Sequence, residues 1–541
     1  MKASEGSGMG EGMSRKGLWL VVAICLVCGV FFRFYNLEKK VFWYDEIHSK
    51  LWATGHSWSE VRDSVPAVEA PVRTLHRFLR IESDRGPQRV IESVARDDPQ
   101  HTPLYYLLAH LWLRTFGDSV PAIRSLSVLA GLLLLPCIYW LCGELGLGRR
   151  TAYTAVALVA VSPFYVIYSQ EARQYGLWAV EVLLASCLLL RAVTSGRGRD
   201  WIFYGLSLVA GLYTHLLFAP VIAAHAVYVF ACFIRPERRT DRGATPVLFF
   251  SGAAFLAFLA FVPWCFYLIR NISQATGNLE WSQQKVGLLS LACMWGFNYS
   301  SLFVDLNHSV RFIEQYDVPL FLDYTFRAGV LVVLSAGLTF LARRVSHRPR
   351  IFLLALIVIP FLTLAVPDLL MGGMRSGGGH RYLIPSYLGV TIAVAALLGE
   401  GVSSPSSRER WCRWLLGVLL CSGIVSLVAH ASADTWWTKP VSYYAPRVAR
   451  IVNQSPHPLL ISDVSVNLLS MSYLLEPSVR VLPVRNPDLL HIPAGFRDIF
   501  VFAPSQTLFA RIRAERGFTL IELDRRGRLW LLRSDIRSRD G

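Results

Sequence analysis

An α-helical polytopic membrane protein, with a small extracytoplasmic α/β domain at its C-terminal end, is the fold class that the sequence predicts. Three observations predict it. Of the 541 residues 53% are hydrophobic and only 17% charged, with a mean hydropathy of +0.40, which is too apolar for a water-soluble enzyme. The apolar residues come in runs of bilayer length separated by alternating arginine clusters. After Ala431 the pattern changes to short apolar segments divided by turn residues.

The first apolar run, Gly17 to Phe34, is about long enough to cross a bilayer. Arg15 and Lys16 precede it, so the positive-inside tendency keeps the N-terminus in the cytoplasm. The FFRFYN that ends it has no small-residue cleavage site and reads as part of a retained anchor. A polar loop of about residues 35–123 follows. Inside it, Pro103 to Phe116 (PLYYLLAHLWLRTF) is only about 14 residues, which suits a helix lying along the interface.

That choice sets the topology. With the segment off the membrane, spans fall near 124–142, 151–169, 174–193, 201–217, 219–234, 246–268, 326–342, 351–367, 382–399 and 412–430, about 11 with the first. Every alternate loop is then basic: Arg149 and Arg150; Arg197 and Arg199; Arg235, Arg238, Arg239 and Arg242; Arg343, Arg344, Arg348 and Arg350; Arg408, Arg410 and Arg413. Counting 103–116 as a span would put all five clusters outside, against the rule. The formal charge of +16 is therefore read as cytoplasmic loops facing anionic lipid, not as a nucleic-acid surface. The ten cysteines show neither zinc spacing nor a disulfide framework.

Beyond the last span, LLISD (459–463), RDIFVFA (497–503), FTLIEL (518–523) and RLWLLR (528–533) read as strands, with helical stretches near 464–475 and 506–515. The expected division is a membrane domain over residues 1–430 and an α/β domain over residues 431–541.

On this topology the groups that could carry chemistry share the outer face. Asp45 and Glu46 are adjacent carboxylates just past the first span. His101 heads the interfacial helix that Pro103 starts. Arg124 opens the second span, and Tyr168 to Tyr175, with Glu171, Arg173 and Tyr175, is a polar turn between two apolar helices. His380, Arg381 and Tyr382 follow Gly377-Gly378-Gly379, where glycine lets backbone approach a ligand and a guanidinium suits phosphate. Glu181 lies ~15 Å into its span, a depth at which a carboxylate faces a cavity or a partner.

Taken in order, the acidic pair, HTPLYYLLAHLWLRTFGDSVPAIRSLS, SPFYVIYSQEARQYGLWAV and HRYLIPSY resemble the GT-C glycosyltransferases. The likeness is to bacterial members related to the protein O-mannosyltransferases and to the aminoarabinose transferase acting on lipid A. It implies transfer of a sugar from a polyprenyl-phosphate donor to an acceptor outside the cytoplasmic membrane. It also implies that Asp45, with Glu46 beside it, is the catalytic acidic position. Glu171 and Arg173 then lie near donor and acceptor, and Arg381 binds phosphate. A single displacement assisted by one base would invert the anomeric centre, and Mg²⁺ or Mn²⁺ bridging the phosphate and the two carboxylates is compatible with it. Neither a sequon-reading motif nor a β-trefoil insertion is present, so the acceptor (lipid, glycan or protein) stays open. The alternatives are a lipid-linked-sugar polymerase or ligase and, without duplicated halves to support it, a secondary transporter.

Overall fold

The computed structural model describes residues 15–233, 245–306, 320–401, 407–515 and 517–534. By its contacts the chain forms two units. One comprises Met1–Tyr35, Asp98–Tyr105 and Arg124–Ser432, the other Asn36–Asp97, Tyr106–Ile123 and Ala433–Gly541. The two stretches of the first loop thus group with the C-terminal segment.

The first unit is helical. Among the described residues eight helices are long and apolar enough to span a bilayer, from Gly17–Phe34 to Glu409–Ser432, and nine if one bent pair is a single span. The two remaining expected spans are Gly198–Thr214 and Ala219–Phe233, at 17 and 15 residues shorter than a full crossing. The expected interfacial helix is Leu104–Phe116, 13 residues. Arg235, Arg238, Arg239 and Arg242 lie outside the described residues, as does the Arg408 side chain.

The bent pair, Gly148–Val161 and Pro163–Gln170, turns by 55°, and its cause is local. Pro163 has no N–H to donate to the carbonyl four residues back, and that carbonyl, Val159 O, instead accepts from Arg33 Nη2 at 3.3 Å. Arg33 Nη1 donates to Ala160 O and to Gly29 O, both at 2.9 Å. A fully buried arginine of the first span thus replaces the bonds that the break removes. Two glycines allow the close approach: a Cβ at Gly29 would lie 2.5 Å from Ala160 O and one at Gly423 2.6 Å from Val161 O. Gln170 Nε2 adds bonds to Phe32 O at 2.7 Å and Tyr35 O at 3.1 Å. The segment 163–170 is therefore anchored at both ends before it delivers the polar turn.

The second unit is built on a six-stranded mixed sheet. Its strands are β1 (Ala70–Pro71), β2 (Pro458–Asp463), β3 (Arg480–Val484), β4 (Asp498–Phe502), β5 (Phe518–Asp524) and β6 (Leu529–Ser534), in the order β1-β3-β2-β4-β6-β5. β2 pairs in parallel with β3 and β4, and the remaining pairs are antiparallel. Leu459, Ile461, Val501 and Leu532 pack with Leu508 and Ile512 of helix Gln506–Arg513 in its core. β3 was not among the expected strands; its RVLPV carries Pro483, a residue that is rare inside a sheet. Its partner β1 comes from the first loop, which thereby contributes an edge strand to the C-terminal sheet.

Candidate active site

In the second unit, Asp45 and Glu46 occupy the first turn of helix Tyr44–Ala53, where acidic groups complement the helix dipole. Their environments differ. Glu46 is fully buried, and its Oε2 accepts from Trp43 N at 3.3 Å, an N-terminal cap. Asp45 is half-buried. The entry to this helix is held by the C-terminal segment. Tyr44 N donates to Ser442 Oγ at 3.3 Å, Ser470 Oγ donates to Phe42 O at 2.6 Å, and Lys439 Nζ lies 4.2 Å from the Trp43 ring centroid.

In the first unit, His101, Glu171, Arg173, Tyr175, His380, Arg381 and Tyr382 come from three stretches, most of them linked pairwise. Arg173 Nη2 lies 2.6 Å from His101 Nε2. A guanidinium can only donate, so Nε2 is the acceptor and the imidazole proton sits on Nδ1. Nδ1 faces Asp98 Oδ2 at 3.0 Å, and the chain Asp98–His101–Arg173 fixes the guanidinium. Trp264 Nε1 pins the same stretch through Pro99 O at 3.0 Å. Glu171 and Arg124 are buried, at 0% and 1% exposure, and Arg173 N closes a tight turn onto Glu171 O at 2.7 Å.

Tyr175 is the centre of the arrangement. Its hydroxyl accepts from Arg381 Nε at 2.8 Å. The Arg381 guanidinium carbon lies 5.4 Å from the Tyr175 ring centroid, and that of Arg173 5.7 Å from the same centroid. Arg381 also sits 5.1 Å from the Tyr382 ring centroid. His380 Nε2 pairs with Tyr168 Oη at 3.0 Å. Two guanidinium groups are thus held around one aromatic ring, a disposition that favours an anion bridging them.

The sequence reading gave no role to Tyr168, Asp98, Trp178 or His215. Tyr168 lay at the start of the polar turn and Asp98 three residues before the HTPLYY motif, so a pairing partner for His380 or His101 could have been sought there. Trp178 stacks on His215 with ring centroids 4.3 Å apart and planes 13° from parallel, a contact with no sequence signal. Glu181 is buried at 6% exposure and accepts from Thr214 Oγ1 at 2.9 Å, which names its partner. The glycines before His380 approach protein and not open space. A Cβ at Gly377 would meet Met294 Sδ at 2.9 Å and one at Gly379 the Tyr382 ring at 2.5 Å. Among the described residues no group of three or more His, Cys, Asp or Glu side chains is placed to hold a metal ion, and Glu46 is engaged in its cap.

Residues 100–267 match the sequence pattern of the family described as dolichyl-phosphate-mannose-protein mannosyltransferase. The fold is that of a polytopic helical membrane protein and is shared with a solved glycosyltransferase structure. The apo structure of ArnT from Cupriavidus metallidurans resembles this chain with a TM-score of 0.50 at 13% identity, over 96% of this chain and 98% of that one. The same protein bound to undecaprenyl phosphate gives 0.48 at 14%, over 97% and 99%. The archaeal oligosaccharyltransferase AglB from Archaeoglobus fulgidus, in complex with an inhibitory peptide and a dolichol-phosphate, gives 0.49 at 11%, over 97% and 75%. No curated protein matches the chain.

Proposed function

We propose that this chain is a GT-C glycosyltransferase that moves a sugar from a polyprenyl-phosphate donor to an acceptor hydroxyl on the extracytoplasmic face, with inversion. The observation that carries this reading is the pair of guanidinium groups, Arg173 and Arg381, held around the Tyr175 ring. Unlike a pair of lysines, they offer flat forks that match phosphate oxygens. In the reaction, the acceptor oxygen attacks the anomeric carbon as the bond from that carbon to the phosphate oxygen breaks. The electron pair leaves with the polyprenyl phosphate, and Arg173 and Arg381 stabilise the charge that develops on it. Asp45 takes the hydroxyl proton. The half-buried position of Asp45 supports that role, and the burial of Glu46 within its cap supports an orienting one. The match of residues 100–267 to a family named for dolichyl-phosphate mannose supports the donor class. The outer location is supported by the arginine clusters at 149–150, 197–199 and 343–350. In chain order these fall at the helix ends opposite Arg173 and Arg381.

The test is transfer of radiolabel from polyprenyl-phosphate sugars to a membrane extract by the purified protein in lipid. Asp45→Asn, nearly isosteric but unable to accept a proton, should slow transfer ~10²–10⁴-fold. Glu46→Gln keeps a carbonyl for the cap and should cost far less. Near wild-type transfer by Asp45→Asn would sink the assignment of the base. With Glu181 essential, Asp45 dispensable and no label leaving any donor, the protein would be a transporter.

A further inference from the structure

We propose that Asp368 is a positioning residue for the donor phosphate, acting through Arg381; the inference rests on the donor-site reading above. Asp368 lies near the end of helix His347–Met371 and is 3% exposed. Its carboxylate accepts four hydrogen bonds, all from two residues of the following turn. Oδ1 accepts from Arg375 N at 3.0 Å and Arg375 Nη1 at 3.1 Å. Oδ2 accepts from Ser376 N at 2.7 Å and Ser376 Oγ at 2.6 Å.

For a carboxylate to meet residues only seven and eight positions ahead, the chain must reverse at once. Gly372 and Gly373 do this with φ of +76° and +133°, and a Cβ at Gly373 would sit 2.9 Å from Asp368 Oδ1. The turn is secured from a second side. Trp295 Nε1 donates to Ser376 Oγ at 2.9 Å, Asn298 Nδ2 to Gly377 O at 2.7 Å, and Met374 N to Ser282 O at 2.8 Å. Gly378 N then bonds Met374 O and Tyr382 N bonds Gly379 O, at 2.7 and 2.8 Å. Backbone hydrogen bonds thus run from Met374, next to the residues that Asp368 holds, to Gly378, and from Gly379 to Tyr382, beside Arg381. The guanidinium meets Tyr175 Oη at its far end. With four charge-assisted bonds, Asp368 is the strongest fixed point of this path, and it makes no contact of its own with Tyr175, Arg173 or Arg381 among the bonds described.

A residue that acts this way should matter for the phosphate and not for the lipid tail. The test is binding of radiolabelled undecaprenyl phosphate, and of the unphosphorylated alcohol as control, to the full-length protein in nanodiscs. Asp368→Asn should weaken undecaprenyl phosphate roughly tenfold, within the ~10²-fold that ~1 Å of misplacement costs, and leave the alcohol unchanged. Arg381→Ala should weaken it at least as much, and the double variant should bind no worse than Arg381→Ala alone. Should Asp368→Asn not fold, Trp295→Phe, which removes only the Nε1 donor, should give a smaller loss in the same direction. Equal loss for phosphate and alcohol, additive losses in the double variant, or unchanged binding in the Asp368 or Trp295 variant would overturn the inference alone. Unchanged binding in Arg381→Ala would overturn the donor-site reading and this inference with it.

Discussion

Lys50 shares the helix Tyr44–Ala53 with Asp45 and is buried at 2% exposure. Its ammonium donates to Tyr473 Oη at 3.0 Å and to Asp118 O, and lies 5.9 Å from the Phe42 ring centroid and 5.4 Å from that of Tyr473. It therefore ties the start of the first loop to its end and to the C-terminal segment. Burial lowers it from 10.5 to about 8, with Asp118 opposing the shift and Arg80 adding to it. The sign for stability follows. Between pH 8 and 10.5 an unfolded lysine keeps its proton while the folded one has lost it, so this group makes the folded state more stable as pH rises. The full effect is about 3 kcal/mol. Melting curves of wild type and Lys50→Met between pH 7.5 and 10 should diverge, the wild type gaining relative to the variant; parallel curves would contradict the shift. Only burial makes Lys50 unusual, and burial was not legible around a lone lysine in a polar loop. Asp45 and Glu46 were legible as a pair, but their separate roles were not, because adjacency says nothing about which carboxylate a cap consumes.

At the scale of elements, the polar turn depends on a helix break that the first span repairs. Arg33 is an arginine inside an apolar run, and its sequence context suggests no more than a snorkelling side chain. In the structure it supplies three hydrogen bonds to carbonyls. Arg33→Met keeps the apolar volume and removes these bonds. It should lower stability by about 3 kcal/mol, read as a fall in thermal midpoint. Adding Pro163→Ala should recover part of the loss, because an alanine at that position can donate its own N–H to Val159 O. Strictly additive losses would show that Arg33 does not replace the missing bond. The apolar runs were legible as spans because bilayer length and hydropathy are properties of a stretch alone. The short helices Gly198–Thr214 and Ala219–Phe233 were legible as apolar but not as short.

For the whole molecule, the proposed placement of the site on the outer face rests on charge. In a cysteine-free background, single cysteines at Asp63 and Gln284, both exposed, should react with an impermeant maleimide added outside. Cysteines at Arg197 and Arg343, also exposed, should react only after the membrane is opened. The reverse pattern would move Asp45 and the Arg173–Arg381 cluster to the cytoplasm and exclude the proposed acceptor face. The sequence by itself determined that the chain is a multi-pass membrane protein, which polar stretches interrupt it and that a strand-rich segment follows. Each of these depends on local hydropathy, charge and turn chemistry. Only the tertiary structure decided that Arg173 and Arg381 meet at Tyr175, that Asp98 orients His101, that Asp368 holds the turn before Arg381 and that β1 of the first loop joins the C-terminal sheet. The first and last of these join residues whose order in the chain does not encode proximity, and for the two local ones packing selects which nearby polar groups satisfy one another out of water.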